Sequence, residues 1–188
     1  MSIAFVEVFT DGASRGNPGE GGWGALLRFR DTKGKVHEHE MSQGYTKTTN
    51  NRMEILGVVS ALEALKRQCH VHVYSDSKYI VNAFNEKWVY GWEKKAWKNS
   101  NKETVKNVDL WQRLLNVVRK HEVEFSWVHG HIGHPENERC DTLATQAADA
   151  TSGHIVDVGY EKEFDFEITQ SMFQGTEYAE DTEGSQLP

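Results

Sequence analysis

Asp11, Glu54, Asp76 and Asp141 are the residues of this sequence with the strongest claim to act together. Asp11 follows the apolar run IAFVEVFT (3–10), and Asp76 closes the short β-branched run HVHVYSD (70–76), so both stand at the carboxyl ends of expected strands. Glu54 falls one turn into a segment of helical periodicity. Asp141 falls in the first two turns of another, where the helix dipole favours an anion. Taken singly, each acid is better explained as a helix cap or a solvated surface charge. Gathered at one end of a sheet, four carboxylates repel. A pair ~4 Å apart costs about 4 kcal/mol at an effective dielectric near 20, so such a cluster calls for cations. An oxygen-only set suits Mg²⁺ or Mn²⁺ rather than zinc. Two such ions ~3.5–4 Å apart would clamp the attacking and leaving oxygens of an in-line phosphoryl displacement.

Other residues bear on the same chemistry. His129, His131 and His134 with Cys140 resemble a weak zinc pattern. One working histidine, His131, titrating near neutrality and handling protons, is the better reading. The stretch 86–106, EKWVYGWEKKAWKNSNKETVK, fits no core periodicity and reads as an excursion from the body. In it Trp88, Trp92 and Trp97 interleave with Lys87, Lys94, Lys95 and Lys98. That pattern favours a groove for a nucleic-acid backbone with aromatic faces for sugars or bases, against simple packing of a small subdomain. GASRGNPGEGG (12–22) lacks the GxxxxGK[ST] string of a phosphate-cradling P-loop.

The elements that must position these residues follow from local pattern. Strands are expected over 3–10, 23–30 and 36–45, the last two joined by the turn DTKGK. Met53, Ile55, Leu56, Val59, Leu62 and Leu65 give 50–67 a helical period, with an Asn as its cap. A strand over 70–76, a short helix over 77–85, an amphipathic helix over 108–121, a strand over 123–131 and a helix over 135–150 with Pro in its first turn complete the body. The order β-β-β-α-β-α-α-β-α implies an α/β fold, a mixed sheet covered by helices, with ligands outside the carboxyl strand ends.

The chain of 188 residues carries a net charge of −7, unevenly placed. Residues 1–150 hold 20 basic and 19 acidic residues, while 151–188 hold nine acids and one base. The body is near neutral and the tail acidic, so the overall charge does not exclude a nucleic-acid partner. One domain over 1–150 and an acidic extension over 151–188, largely disordered, are expected. Phe164, Phe166 and Ile168 alternate as an added edge strand would, and the tail could dock a basic partner. Two cysteines, Cys69 and Cys140, make no disulfide framework. With no basic n-region at the amino terminus and no apolar run of ~20 residues, neither a signal peptide nor a membrane span is expected, and a cytoplasmic location is.

The strings TDGASRGNPG (10–19), GYTKTTNNRMEI (44–55), YSDSKYI (74–80), KNVDLWQRL (106–114) and WVHGHIGHPENERCDTLA (127–144) closely resemble the bacterial type 1 ribonuclease H family, in the right order over nearly all of residues 4–150. The resemblance implies a five-stranded mixed sheet flanked by helices. It further implies a monomeric endonuclease that hydrolyses the RNA strand of RNA/DNA hybrids with two divalent ions, leaving 5′-phosphate and 3′-hydroxyl ends. By motif, Asp11 would touch both ions, Glu54 and Asp76 one, and Asp141 the other. His131 would assist turnover, and Glu138, three residues before Asp141, would support it. Asn17, Asn50 and Asn51 match contacts to the hybrid's minor groove, and Thr49 part of a pocket for a DNA phosphate. Residues 86–106 resemble the family's basic protrusion.

Three positions depart from the pattern. Lys78 stands where a glutamine is usual, which would turn a minor-groove contact into a phosphate contact. Glu93 interrupts the basic run of the protrusion, and His129 replaces a lysine. A non-catalytic hybrid-binding module, or another two-metal nuclease such as a junction resolvase or integrase, are the alternatives. The full set of four carboxylates speaks against the first, and the asparagines matched to the minor groove against the second.

Overall fold

A computed structural model of the chain describes residues 3–130, 133–165 and 167. Five strands form one mixed sheet: β1 (Ala4–Ser14), β2 (Gly19–Arg30), β3 (Val36–Thr48), β4 (Cys69–Ser75) and β5 (Glu122–Trp127). Their order is β3-β2-β1-β4-β5. The meander β1–β3 is antiparallel, and β4 and β5 add parallel strands. The helices are α1 (Asn50–Glu63), α2 (Lys78–Asn85), α3 (Trp88–Lys94), α4 (Val108–Val118) and α5 (Pro135–Asp149). The α/β class, the mixed sheet and the element order stand as expected, with α3 as an extra helix inside the excursion. No helix among the described residues is long and apolar enough to cross a membrane.

The sheet's two faces carry different loads. Val6, Val8, Val71 and Val73 pack with Met53, Ile55, Leu56, Val59 and Leu62 of α1 and with Leu110, Trp111 and Leu114 of α4 in the main core. Side chains alternate along a strand, so Phe9 points the other way and joins Leu26 and Cys140 under α5. That face is closed by glycines. A Cβ on Gly24 would lie 2.4 Å from the Cys140 carbonyl oxygen, and one on Gly22 2.7 Å from that of Ala144. The run GEGG is therefore strand, not loop: its glycines let α5 lie against the sheet backbone, and β2 begins four residues earlier than its side-chain pattern announces.

The first compact unit runs to Asp157. Ile155 bridges to Tyr45 beside β3, with Thr46 N–H donating to the Ile155 carbonyl at 3.0 Å. Asp157 is buried against Arg52. A second unit begins at Val158. Its residues 158–165 are helical, with the rings of Tyr160 and Phe164 stacked at 6.0 Å. Phe164 is therefore helical where an edge strand was expected, and Phe166 and Ile168 lie outside the described side chains.

Candidate active site

β1 runs three residues beyond Asp11, but its parallel pairing with β4 stops at Thr10 and Ser75. Asp11 and Asp76 thus follow the last paired residues of two adjacent parallel strands. Asp11 is buried, and its Oδ1 accepts the Gly12 N–H at 2.7 Å. Gly12 is what lets Glu54 approach: a Cβ there would fall 2.5 Å from the Glu54 backbone nitrogen. Gly130 does the same for Asp76, whose Oδ2 would lie 2.7 Å from an added Cβ. Asp141 is the seventh residue of α5, past the first turn, so the helix-end field expected to support it does not reach it.

The electrostatics join the four acids. Burial first, then Asp76, Asp141 and Glu54, push the Asp11 carboxyl up to about 8, against the Gly12 hydrogen bond. Burial also raises Glu54, with Asp76 adding to it, while hydrogen bonds from Ser77 and Asn50 oppose the shift. Asn50 Nδ2 lies 2.8 Å from Glu54 Oε1. Among the described residues no three His, Cys, Asp or Glu side chains are already gathered closely enough to hold a metal ion. The donor set nevertheless fits a hard divalent cation: it is all oxygen, and Asp11 holds a proton at neutral pH that such a cation would displace.

A stability experiment reads this cluster without any assay of activity. A carboxyl whose folded pKa is raised destabilises the fold above its unfolded pKa near 4, and the cost grows until about pH 8. Asp11→Asn keeps an acceptor for Gly12 and removes the titrating group. In chelator the variant should equal wild type at pH 4 and exceed it by at least about 1 kcal/mol at pH 8. Mg²⁺ should narrow the gap, since ion binding favours the wild type. Urea unfolding across that range checks the expectation. A variant less stable than wild type at pH 8 in chelator would make Asp11 a satisfied structural residue.

The expected substrate contacts divide. Thr49, not an Asn, caps α1, its side chain accepting the Arg52 N–H at 3.4 Å. Capping uses an acceptor of the hydroxyl and leaves its proton free to donate to a phosphate oxygen. Asn17 Oδ1 accepts the Asn50 N–H at 3.1 Å, so Asn17, Asn50 and Glu54 form one chain of contacts, and Asn51 is exposed beside them. Lys78 is exposed at the start of α2, and Glu138 is exposed on α5. His131 lies outside the described residues. Cys140 is no metal ligand: its thiol is buried, donates to the Phe9 carbonyl at 3.2 Å and is pushed up to about 12, first by burial and then by Asp11.

In the excursion, Trp88, Lys87, Lys94 and Lys95 are exposed. Trp92 is not a free platform. Its ring stands edge-on to the fully buried Trp111 at 5.5 Å, because α3 must anchor on α4 to hold its place. Trp97 also packs on the core. Lys98 is exposed, with its ammonium 3.3 Å from the Lys102 carbonyl oxygen. Glu93 pairs bidentately with Arg119, which takes its charge out of the basic run.

Two residues escaped the sequence reading. Ser77 is buried and hydrogen-bonds Glu54. It stands beside Asp76 in YSDSKYI, so adjacency was the available signal. Asn137 is buried on α5, four residues before Asp141, with neither end of its amide paired among the described residues.

Comparison with known proteins bears on the whole arrangement. The sequence model of the RNase H family matches residues 4–149. The chain is 56% identical over 153 residues to the ribonuclease H of Lachnoclostridium phytofermentans, covering 81% of this chain and 96% of that protein. It is 50% identical over 158 residues to the ribonuclease H of Escherichia coli O127:H6, covering 84% and 97%. Among solved structures, LC9-RNase H1, described as a type 1 RNase H with the type 2 active-site motif, superposes with a TM-score of 0.72 at 32% identity, over 86% of this chain and 81% of that one.

Proposed function

The chain belongs to the ribonuclease H family, and we propose that it cleaves the RNA strand of RNA/DNA hybrids at the cluster formed by Asp11, Glu54, Asp76 and Asp141. The observation that carries this reading is the placement of Asp11 and Asp76 just past the last paired residues of adjacent parallel strands, with Glu54 drawn in against Gly12; burial, and after it the charges of Asp76, Asp141 and Glu54, raise the Asp11 carboxyl to about 8. Two Mg²⁺ ions, or Mn²⁺ in their place, would be held by these four side chains. Bound there, they supply charge neutralisation and an activated water to phosphodiester hydrolysis, giving 5′-phosphate and 3′-hydroxyl ends. Asn50 and Ser77 fix the Glu54 carboxylate, and Gly12 and Gly130 admit the close approach of their neighbours. His131 assists turnover by proton transfer or product release, with Glu138 near Asp141 as a supporting acid.

The hybrid is held by Asn17, Asn50 and Asn51 in its minor groove, by Thr49 on a DNA phosphate, and by Lys78, Lys87, Trp88, Lys94, Lys95 and Lys98 along its backbone. Trp92 supports this surface from below. The enzyme acts as a cytoplasmic monomer, and its acidic tail serves for a protein contact. The decisive experiment uses end-labelled RNA/DNA hybrid, RNA duplex and DNA duplex, each with Mg²⁺ and with chelator. Cleavage of the RNA in the hybrid alone, abolished by chelator, is expected. Binding without cleavage would favour the non-catalytic module, and cleavage of DNA another two-metal nuclease.

The excursion has its own test. Changing Lys94, Lys95 and Lys98 together to Ala should flatten the salt dependence of hybrid binding, each lost phosphate contact lowering the log–log slope by about 0.7–0.9. Lys98 should contribute least, given its contact with the Lys102 carbonyl. An unchanged slope would place these lysines in bulk water.

A further inference from the structure

Two of the three departures in the sequence, Lys78 and His129, meet on one side chain. The Lys78 ammonium lies 4.6 Å from the centroid of the Trp127 ring, and the His129 ring lies 5.3 Å from the same indole. Trp127 itself is 41% exposed at the end of β5, and its Nε1 donates to the backbone carbonyl of Asp76 at 2.9 Å. The indole therefore touches the residue that ends at the catalytic cluster, while its face carries a cation.

The placement of Lys78 is locally unfavourable. It opens α2, where the helix dipole is positive, and the first turn holds no acid to offset it. Among the described residues no carboxylate pairs with it. What holds it is the aromatic face, a weak attraction at an exposed site. A charge kept against local preference, unneutralised and next to a reactive cluster, is a charge kept for something else.

We propose that Lys78, Trp127 and His129 form a shelf that binds a phosphate of the strand being cut, beside Asp76, with Trp127 as the positioning residue that ties the shelf to the cluster. The ligand is a phosphodiester, and the strand follows from continuity. Lys78 is two residues from Asp76, and Trp127 bonds to the Asp76 backbone, so a phosphate on the shelf belongs to the strand on which Asp76 acts. The assignment rests on the functional reading above. Position 78 places a cation on the ring, while 129 offers an imidazole face to the same indole.

The test uses the full chain and an RNA/DNA hybrid. Binding in chelator is measured against salt, and single-turnover cleavage in Mg²⁺, for wild type, Lys78→Gln, Trp127→Phe and Trp127→Leu. Lys78→Gln should lower the log–log salt slope by about 0.7–0.9, the signature of one phosphate contact. Trp127→Leu removes no charge, yet should lose part of the same slope, because Lys78 is no longer held. Trp127→Phe keeps a ring under Lys78 and should keep the slope, while slowing cleavage through the lost donor to Asp76. Hybrids with single neutral methylphosphonates then locate the contact. One position on the RNA strand beside the cut should weaken wild type but not Lys78→Gln. Sensitivity shared by both proteins, located on the DNA strand instead, or paired with an unchanged slope in Lys78→Gln, overturns the shelf while leaving the function standing. Absence of hybrid cleavage by wild type overturns the functional reading, and the shelf with it.

Discussion

Asp76→Asn is expected to bind hybrid as wild type does and to cleave it at less than a tenth of the wild-type rate at saturating Mg²⁺. The change keeps the size of the side chain and, with it, the fit against Gly130, where a Cβ would come within 2.7 Å of Oδ2. It leaves the backbone carbonyl that accepts from Trp127 in place. What it removes is the charge that raises both Asp11 and Glu54. The loss of rate should therefore be accompanied by a fall in the Asp11 pKa from about 8, readable by carbonyl NMR in the metal-free protein. Those two results have different causes and must appear together. Retained cleavage would remove Asp76 from the cation-binding set, and an unmoved Asp11 would mean the two carboxylates do not share a field.

Much of this site was legible because its signals are local. Asp11 and Asp76 follow β-branched runs, and Glu54 sits in a helical period. The strings around them have fixed spacing. The illegible parts are those decided by packing between distant segments. GEGG reads as a loop because glycine lacks a side chain to pattern. It forms a strand because α5 needs those missing Cβ atoms, and α5 lies more than 110 residues away in sequence. Trp88 and Trp92 are equivalent by spacing on α3. One is exposed and the other rests on Trp111, a difference set by where α4 passes and not by their neighbours in sequence. Lys78 and His129 look like unrelated departures until β5 brings Trp127 between them.

Arg52 is the extreme case of a residue explained only by distant partners. Within NNRME it looks like a solvated helix charge, yet it is 1% exposed. Its guanidinium bonds both oxygens of Asp109, at 2.9 and 2.7 Å, and both oxygens of Asp157, at 2.7 and 2.8 Å. Thr48 Oγ1 adds a further bond to Asp157 at 2.7 Å. One arginine thereby fastens α1 to the start of α4 and to the segment that closes the compact unit. Arg52→Met should cost about 3–5 kcal/mol, because it strands the buried Asp157 carboxylate and half-frees Asp109. Arg52→Lys should recover only part, since an ammonium cannot make both forks. The pH dependence has a definite sign. Burial pushes Asp109 up, but its bonds to Arg52 hold it net below its ordinary value. That contribution is present above the unfolded pKa near 4 and is lost as pH falls through the lower folded value. The gap between wild type and Arg52→Met in urea unfolding should thus be full at pH 7 and shrink below about pH 4. Truncation offers an independent version of the same experiment. A chain ending at Ala150 loses Asp157 and should be destabilised on the scale of Arg52→Met, whereas one ending at Gly159 keeps it and should match wild type. Equal stability of the two truncated chains would show that the Arg52–Asp157 pair contributes nothing to the fold, and that the body does end where composition alone would place it.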